Sequence, residues 1–342
     1  MGNLKIFIKK IGNFYKIGRL GMAPLTISVP ILGAISSREI ILPSELILLG
    51  CVGFFAHMFG FIINDCIDQS IDKNVPYRKK SPLLTGKMKT LETLLFAFFQ
   101  AILAFVLYYF GLRGSFQGLV VLLVSVFLSS IYNLGSKRGK IPRILAEISL
   151  ALSIGTLSFA GYLANNNRII TLDALFFPLS LTLVLLLVNS IANGIKDVET
   201  DEQAGAESFV IKMGCKVRDG RIFISPQTRI YSTSIMLLTL FSFILVGSRF
   251  SVNYYLYSLI GILILYSFLH LRYIFTVRTL VGFRKSIPFL YGYYSYFALC
   301  IFLVPWMPLL LKIVFVSLGM LSILIPISQS FRMWKSRYTL VT

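Results

Sequence analysis

The sequence predicts an all-α membrane protein, a bundle of nine or ten transmembrane helices. Three observations predict it. Of 342 residues, 56% are hydrophobic and 14% charged, with a mean hydropathy of +0.79, which excludes a soluble globular domain. Apolar runs long enough to cross a bilayer as helices recur along the chain. Lysines and arginines crowd alternate connecting segments, the signature of a multi-pass topology.

The apolar runs fall at about residues 20–36, 44–63, 91–111, 116–133, 144–163, 173–195, 230–247, 253–274, 287–304 and 307–327. Only Pro305-Trp306-Met307-Pro308 separates the last two, as a tight exterior turn or as a kink, so nine spans stand beside ten. Five basic residues precede the first span (Lys5, Lys9, Lys10, Lys16, Arg19), and six, four, six and four follow spans two, four, six and eight. Three more lie in the C-terminal tail. The opposite loops hold single arginines at 38, 113, 168 and 249. This pattern puts both termini in the cytoplasm and favours ten spans, since nine leave Arg332, Lys335 and Arg337 outside. Residues 1–342 read as one integral-membrane domain of a prokaryotic plasma membrane, with its chemistry in 19–215 and further spans and a tail in 216–342.

Five of the seven aspartates sit in two short clusters, Asn64-Asp65-x-x-Asp68-x-x-x-Asp72 and Asn193-x-x-x-Asp197-x-x-x-Asp201. They follow spans two and six, on the cytoplasmic side, where slight burial is expected. At helical pitch Asn64, Asp68 and Asp72 share one stripe, and Asn193, Asp197 and Asp201 another. Like charges one turn apart repel and weaken a helix unless a cation joins them. Hard oxygen donors in a basic surround suit Mg2+ bridging to a diphosphate.

The two largest basic loops are the two that carry these carboxylates. After Asp72 come Lys73, Arg78, Lys79, Lys80 and Lys87 in a stretch broken by Pro76, Pro82 and Gly86. Lys196 precedes Asp197, and Lys212, Lys216, Arg218, Arg221 and Arg229 follow Asp201. Such cations can hold phosphate oxygens, or can serve only as solvated positive-inside charge.

The net charge of +19 invites a nucleic-acid partner, but positive-inside topology and anionic lipid headgroups account for it, so none is expected. Cys51, Cys66, Cys215 and Cys300 show no metal-ligand spacing and read as unpaired thiols. His57 and His270 lie within apolar runs, as packing residues or single hydrogen-bond partners. The first 18 residues lack the apolar core of a removable signal peptide. Gly33, Gly53, Gly60, Ser129, Ser130, Gly155 and Gly161 permit close helix approach. Tyr291, Tyr293, Tyr294 and Tyr296 form an interfacial aromatic belt or line a pocket; Trp306 and Trp334 read as interface anchors.

The two clusters, their positions after spans two and six, Pro82 and Gly86 after the first, and Gly205 after the second together resemble the UbiA-type intramembrane prenyltransferase superfamily. The likeness spans about residues 19–215. It implies a helical bundle around a central cavity, with Mg2+ held by Asn64, Asp68, Asp72, Asn193, Asp197 and Asp201 and an isoprenoid diphosphate as donor. Asp65 matches the second position of the family's first motif. Asp65, Asp68 and Asp197 are the candidate catalytic carboxylates, and Arg78, Lys79, Lys80, Lys137, Lys196 and Lys212 the candidate partners of the diphosphate. Two departures alter that clamp. Ser81-Pro82 stands where the family usually has Arg-Pro, and Glu207-Ser208 stands where it commonly has Lys-Thr; Lys212 is a candidate substitute. The stretch Tyr132 to Lys140 resembles the family's tyrosine-and-basic segment, with a shifted spacing.

The chemistry can be stated on its own. A departing diphosphate needs its developing charge neutralised by metal and cationic side chains. The electron-poor carbon left behind needs an apolar cavity that excludes water, and aromatic faces stabilise it. Three function classes follow. The first is Mg2+-dependent prenyl transfer to an aromatic or other lipid-soluble acceptor, with Asp65 or a nearby carboxylate taking the released proton. A terpene cyclase, or a transferase of another diphosphate-bearing group, is the second, encouraged by Ser81 and Glu207. The third is a cation or lipid transporter, which clusters at the ends of spans and not at mid-membrane argue against.

Overall fold

In the computed structural model the described residues are 2–37, 41–73, 79–135, 141–164, 170–203, 205–218 and 221–249, followed by short pieces between 261 and 313. Much of the expected eighth, ninth and tenth spans, together with Tyr291, Tyr293, Tyr294, Trp306 and Trp334, lies outside them. The chain divides into two compact units, Met1–Ile169 with Ala204–Ala206, and Ile170–Gln203 with Glu207–Thr342.

The described secondary structure of the first unit is helical: α1 (Gly2–Ile17), α2 (Ala23–Ile35), α3 (Pro43–Ile67), α4 (Gln69–Asp72), α5 (Thr90–Val106), α6 (Phe116–Gly135) and α7 (Arg143–Tyr162). The second holds α8 (Phe176–Leu186), α9 (Gly194–Gln203), α10 (Phe209–Lys212), a hairpin of β1 (Lys216–Arg218) and β2 (Arg221–Phe223), and α11 (Pro226–Arg249). Among the described residues, six helical stretches are long and apolar enough to cross a membrane: Pro43–Ile67, Thr90–Gly111, Phe116–Gly135, Arg143–Tyr162, Phe176–Asn193 and Pro226–Arg249. They coincide with six of the expected runs, and α2, a shorter apolar helix of 13 residues, lies within the first. The protein is an integral multi-pass membrane protein.

Local chemistry explains the boundaries. Pro43 opens α3, where a missing N–H costs nothing, and Glu45 accepts the Leu42 N–H at 2.9 Å. Wider π-helical turns close α5 (Leu107–Gly111) and α8 (Leu187–Asn193). The hairpin pairs Lys216 with Phe223 and Arg218 with Arg221; the intervening sequence is Asp219-Gly220, a favoured two-residue hairpin dipeptide that the charge-based reading passed over.

Inside the first unit, α2 packs on α3 and α7, α3 on α5, and α6 on α7. Small residues make these crossings close, as expected. A Cβ on Gly33 would overlap the Ser158 carbonyl, and one on Gly161 would overlap the Pro30 carbonyl, so α2 and α7 cross backbone to backbone. Polar side chains add interhelical bonds: Tyr108 Oη donates to the Ala160 carbonyl at 2.7 Å, Ser125 Oγ to that of Ser153 at 2.7 Å, and Asn133 Nδ2 to that of Gly60 at 3.0 Å. The outward faces stay apolar: Leu95, Phe98 and Ile102 on α5, Phe127 on α6, and Leu238 and Phe241 on α11 are exposed, as lipid contact requires.

The basic N-terminal tail is more than a charged tail. It forms α1, whose Phe14 stacks on Phe96 with centroids 3.9 Å apart, while Lys10 pairs with Glu92 at 2.9 Å. Phe14 and Ile17 join Met58, Phe59, Ile62, Ile63 and Cys66 of α3 in one apolar cluster, which Leu83 and Met88 complete from the following loop.

Candidate active site

The first carboxylate cluster lies where α3 ends. Asp68 caps the helix with φ −83° and ψ 3°, yet the backbone ladder continues: the Asp68 N–H donates to the Asn64 carbonyl and the Asp72 N–H to the Asp68 carbonyl, both at 2.9 Å. The expected spacing of one turn per acidic residue therefore survives the helix end. Asn64 Nδ2 donates to Asp68 Oδ2 at 3.2 Å. The expectation of slight burial is wrong. Asp65, Asp68 and Asp72 are only 4%, 2% and 5% exposed.

Burying carboxylates is costly unless cations meet them. One cation comes from Arg19, a residue the sequence reading counted only as positive-inside charge. Its guanidinium forms an ion pair with Asp65, donates to Asn64 Oδ1 at 3.2 Å, and lies over the Phe61 ring at 5.2 Å. Asp65, proposed for catalysis, is thus already engaged. Arg19 stands 46 residues from Asp65 in a left-handed conformation, φ 47° and ψ 54°, which no sequence pattern announces for a non-glycine residue. Lys79 and Lys80 are exposed at the start of the following loop, and Arg78 lies outside the described residues. In that loop Ser81, at the family's arginine position, offers its carbonyl to the Thr85 N–H at 3.0 Å and to its hydroxyl at 2.9 Å.

The second cluster, in the second unit, begins where the π-helical turns end. Asn193 closes them, and Asp197 and Asp201 follow one turn apart on α9. π-helical turns recur at functional sites because they re-aim the residues beside them. All three side chains are half-buried. Gly194 lets Val210 of α10 seat against the start of α9, where a Cβ would come within 2.8 Å of Val210 Cγ1. Glu202 accepts the Val217 N–H at 3.1 Å and ties the end of α9 to the hairpin. The Lys196 side chain and Lys137 lie outside the described residues. Lys212 pairs with Glu207 at 2.6 Å on the surface, so the candidate substitute and the departure that called for it meet each other.

Gly86 and Gly205, the glycines of the two motifs, both have positive φ, +70° and +67°, with open space where a Cβ would stand. Backbone conformation, not crowding, requires glycine at both places. His57, expected to pack or make one hydrogen bond, makes two: Nε2 with the Gly18 carbonyl at 2.8 Å and Nδ1 with Thr26 Oγ1 at 3.1 Å.

Among the described residues, no three Asp, Glu, His or Cys side chains gather closely enough to enclose a metal ion. The donors fit Mg2+ in another way. They are oxygens presented as a ladder, one or two carboxylates per turn, and Mg2+ characteristically takes one or two protein carboxylates and completes its shell with substrate phosphates and water.

Comparison with known proteins agrees with this architecture. The chain is 28% identical over 208 residues to a digeranylgeranylglyceryl phosphate synthase of Methanobrevibacter smithii, covering 60% of this chain and 70% of that one. It is 25% identical over 273 residues to a 4-hydroxybenzoate octaprenyltransferase of Blochmanniella pennsylvanica, covering 78% and 87%. Its fold matches a UbiA homolog from Archaeoglobus fulgidus bound to DMAPP and Mg2+ with a TM-score of 0.60, at 14% identity and covering 84% and 99% of the two chains. A helical membrane fold is thus shared with known relatives, and the chain belongs to the UbiA prenyltransferase family, whose model matches residues 25–278.

Proposed function

We propose that this prenyltransferase uses Mg2+ to transfer a prenyl group from an isoprenoid diphosphate to an aromatic or other lipid-soluble acceptor, on the cytoplasmic side of a prokaryotic plasma membrane. The observation that carries the reading is the first cluster: three nearly inaccessible aspartates within eight residues, held in helical register at the end of an apolar span. The solved relative with DMAPP and Mg2+ supports the donor and the metal.

In this reading Asn64, Asp68 and Asp72 hold one ion, and Asn193, Asp197 and Asp201 a second. Bound Mg2+ supplies charge neutralisation for the leaving diphosphate. Arg78, Lys79, Lys80, Lys137, Lys196 and Lys212 cover its remaining oxygens by charge-assisted hydrogen bonds. The carbon–oxygen bond breaks with its electron pair on the diphosphate, the acceptor bonds to the freed allylic carbon, and Asp65 takes the acceptor's proton.

Labelled geranyl or longer diphosphates, supplied with Mg2+ and candidate acceptors, test this. Label on an acceptor is expected; a labelled hydrocarbon or alcohol would show a cyclase or hydrolase instead, and no turnover with cation flux in liposomes a transporter. Excess EDTA is expected to abolish transfer and added Mg2+ to restore it, read by the same assay.

One observation favours the second reading, a transferase of another diphosphate-bearing group: the Glu207–Lys212 pair ties up a cation proposed for the donor. Glu207→Gln frees Lys212. It is expected to lower KM for an isoprenoid diphosphate by about two- to fivefold, equivalent to about 0.5–1 kcal/mol, with stability changed no more than an exposed ion pair allows. An unchanged KM would remove Lys212 from the clamp.

A further inference from the structure

Three successive turns of α3 hold two consecutive residues of the N-terminal segment. His57, Phe61 and Asp65 recur every four residues and so share one face. His57 takes the Gly18 carbonyl, Phe61 lies beneath the Arg19 guanidinium, and Asp65, with Asn64, takes its tip. A carbonyl only accepts, so His57 Nε2 carries the proton and Nδ1 accepts from the Thr26 hydroxyl; the imidazole is fixed at both ends. The His57 ring also packs against Phe61, with centroids 4.4 Å apart. Gly18 lies so close to α3 that a Cβ would overlap Met58, a fully buried side chain. The left-handed backbone of Arg19 is unfavourable for a non-glycine residue, and contacts on either side of it must hold it there.

We propose that His57 is a positioning residue: by anchoring the Gly18 carbonyl it keeps Arg19 on Asp65 and Asn64, and so sets the charge and side-chain orientation of the first carboxylate cluster. Its consequence for metal binding rests on the Mg2+ reading above. Arg19 orients the Asn64 amide with its oxygen toward the guanidinium, which leaves Nδ2 to face Asp68. Releasing Arg19 leaves the cluster one positive charge poorer.

Two measurements on His57→Ala and His57→Gln test this, with thermal melting in detergent as the control for folding. Gln still donates to the Gly18 carbonyl; Ala does not. Cleavage by trypsin after Arg19, mapped by mass spectrometry, is expected to rise about tenfold in His57→Ala and to stay near wild type in His57→Gln, because opening of the segment follows the lost hydrogen bond. Mn2+ affinity of the substrate-free protein, read by electron paramagnetic resonance, is expected to rise about three- to tenfold in His57→Ala through the loss of a nearby positive charge. A merely structural defect weakens Mn2+ binding instead. Unchanged cleavage overturns the proposal, and altered cleavage with unchanged or weaker Mn2+ binding overturns the link to the cluster. A wild type that binds no Mn2+ overturns the metal reading, and the cleavage rates still decide the role of His57.

Discussion

Asp68→Asn and Asp197→Asn are each expected to lower prenyl transfer by about 100- to 1000-fold, the range seen when one stabiliser of developing charge is removed, while the protein remains folded and inserted. Each exchange keeps the shape of the side chain and deletes one anionic oxygen from a ladder. For Asp68 the burial first expected to be slight is nearly complete, at 2% exposure. Burial strengthens the prediction. A neutral amide in that position is cheaper to bury than a carboxylate, and its remaining oxygen still accepts from Asn64. Melting temperature should therefore stay level or rise as turnover falls. A parallel loss of both would show that Asp68 serves the fold.

The second large effect concerns stability. Gly33→Ala and Gly161→Ala are each expected to destabilise the first unit at or above the top of the range of about 1–3 kcal/mol for an overpacked core. In both cases the added Cβ meets a backbone carbonyl, of Ser158 or of Pro30, which has no rotamer with which to move aside. Separating α2 from α7 also strains α3 and α6, since α2 packs on α3 and α6 on α7. Thermal melting in detergent checks this, with Gly12→Ala as the comparison, since nothing lies within 4 Å of a Cβ at Gly12.

What was legible in the sequence followed from periodicity and scarcity. Long apolar runs fix helices in a bilayer whatever their neighbours, so α3 and α5 to α8 with their π-helical ends, as well as α11, fall where expected. Rare aspartates at helical spacing could be read as ladders, and Gly33 and Gly161 as crossing points, because neither inference needs to know which element lies opposite. What escaped depended on distant partners. Arg19 meets Asp65 across 46 residues, and nothing local distinguishes it from the lysines of the same basic tail. The burial of Asp65, Asp68 and Asp72, at 5% exposure or less, is a tertiary property that charge and spacing along the chain do not carry. His57 was judged on its own apolar helix, whereas its partners are a carbonyl in the bend after α1 and a threonine on α2.

The central proposal is that donor diphosphate binding requires Mg2+ and the carboxylates of each cluster. It is tested most directly by binding of a non-hydrolysable thio analogue of geranyl diphosphate to the purified protein, with Mg2+ and with EDTA. The account predicts binding that requires Mg2+ and is lost in Asp68→Asn and in Asp197→Asn alike. Binding of equal strength in EDTA, or undiminished in both variants, would contradict it.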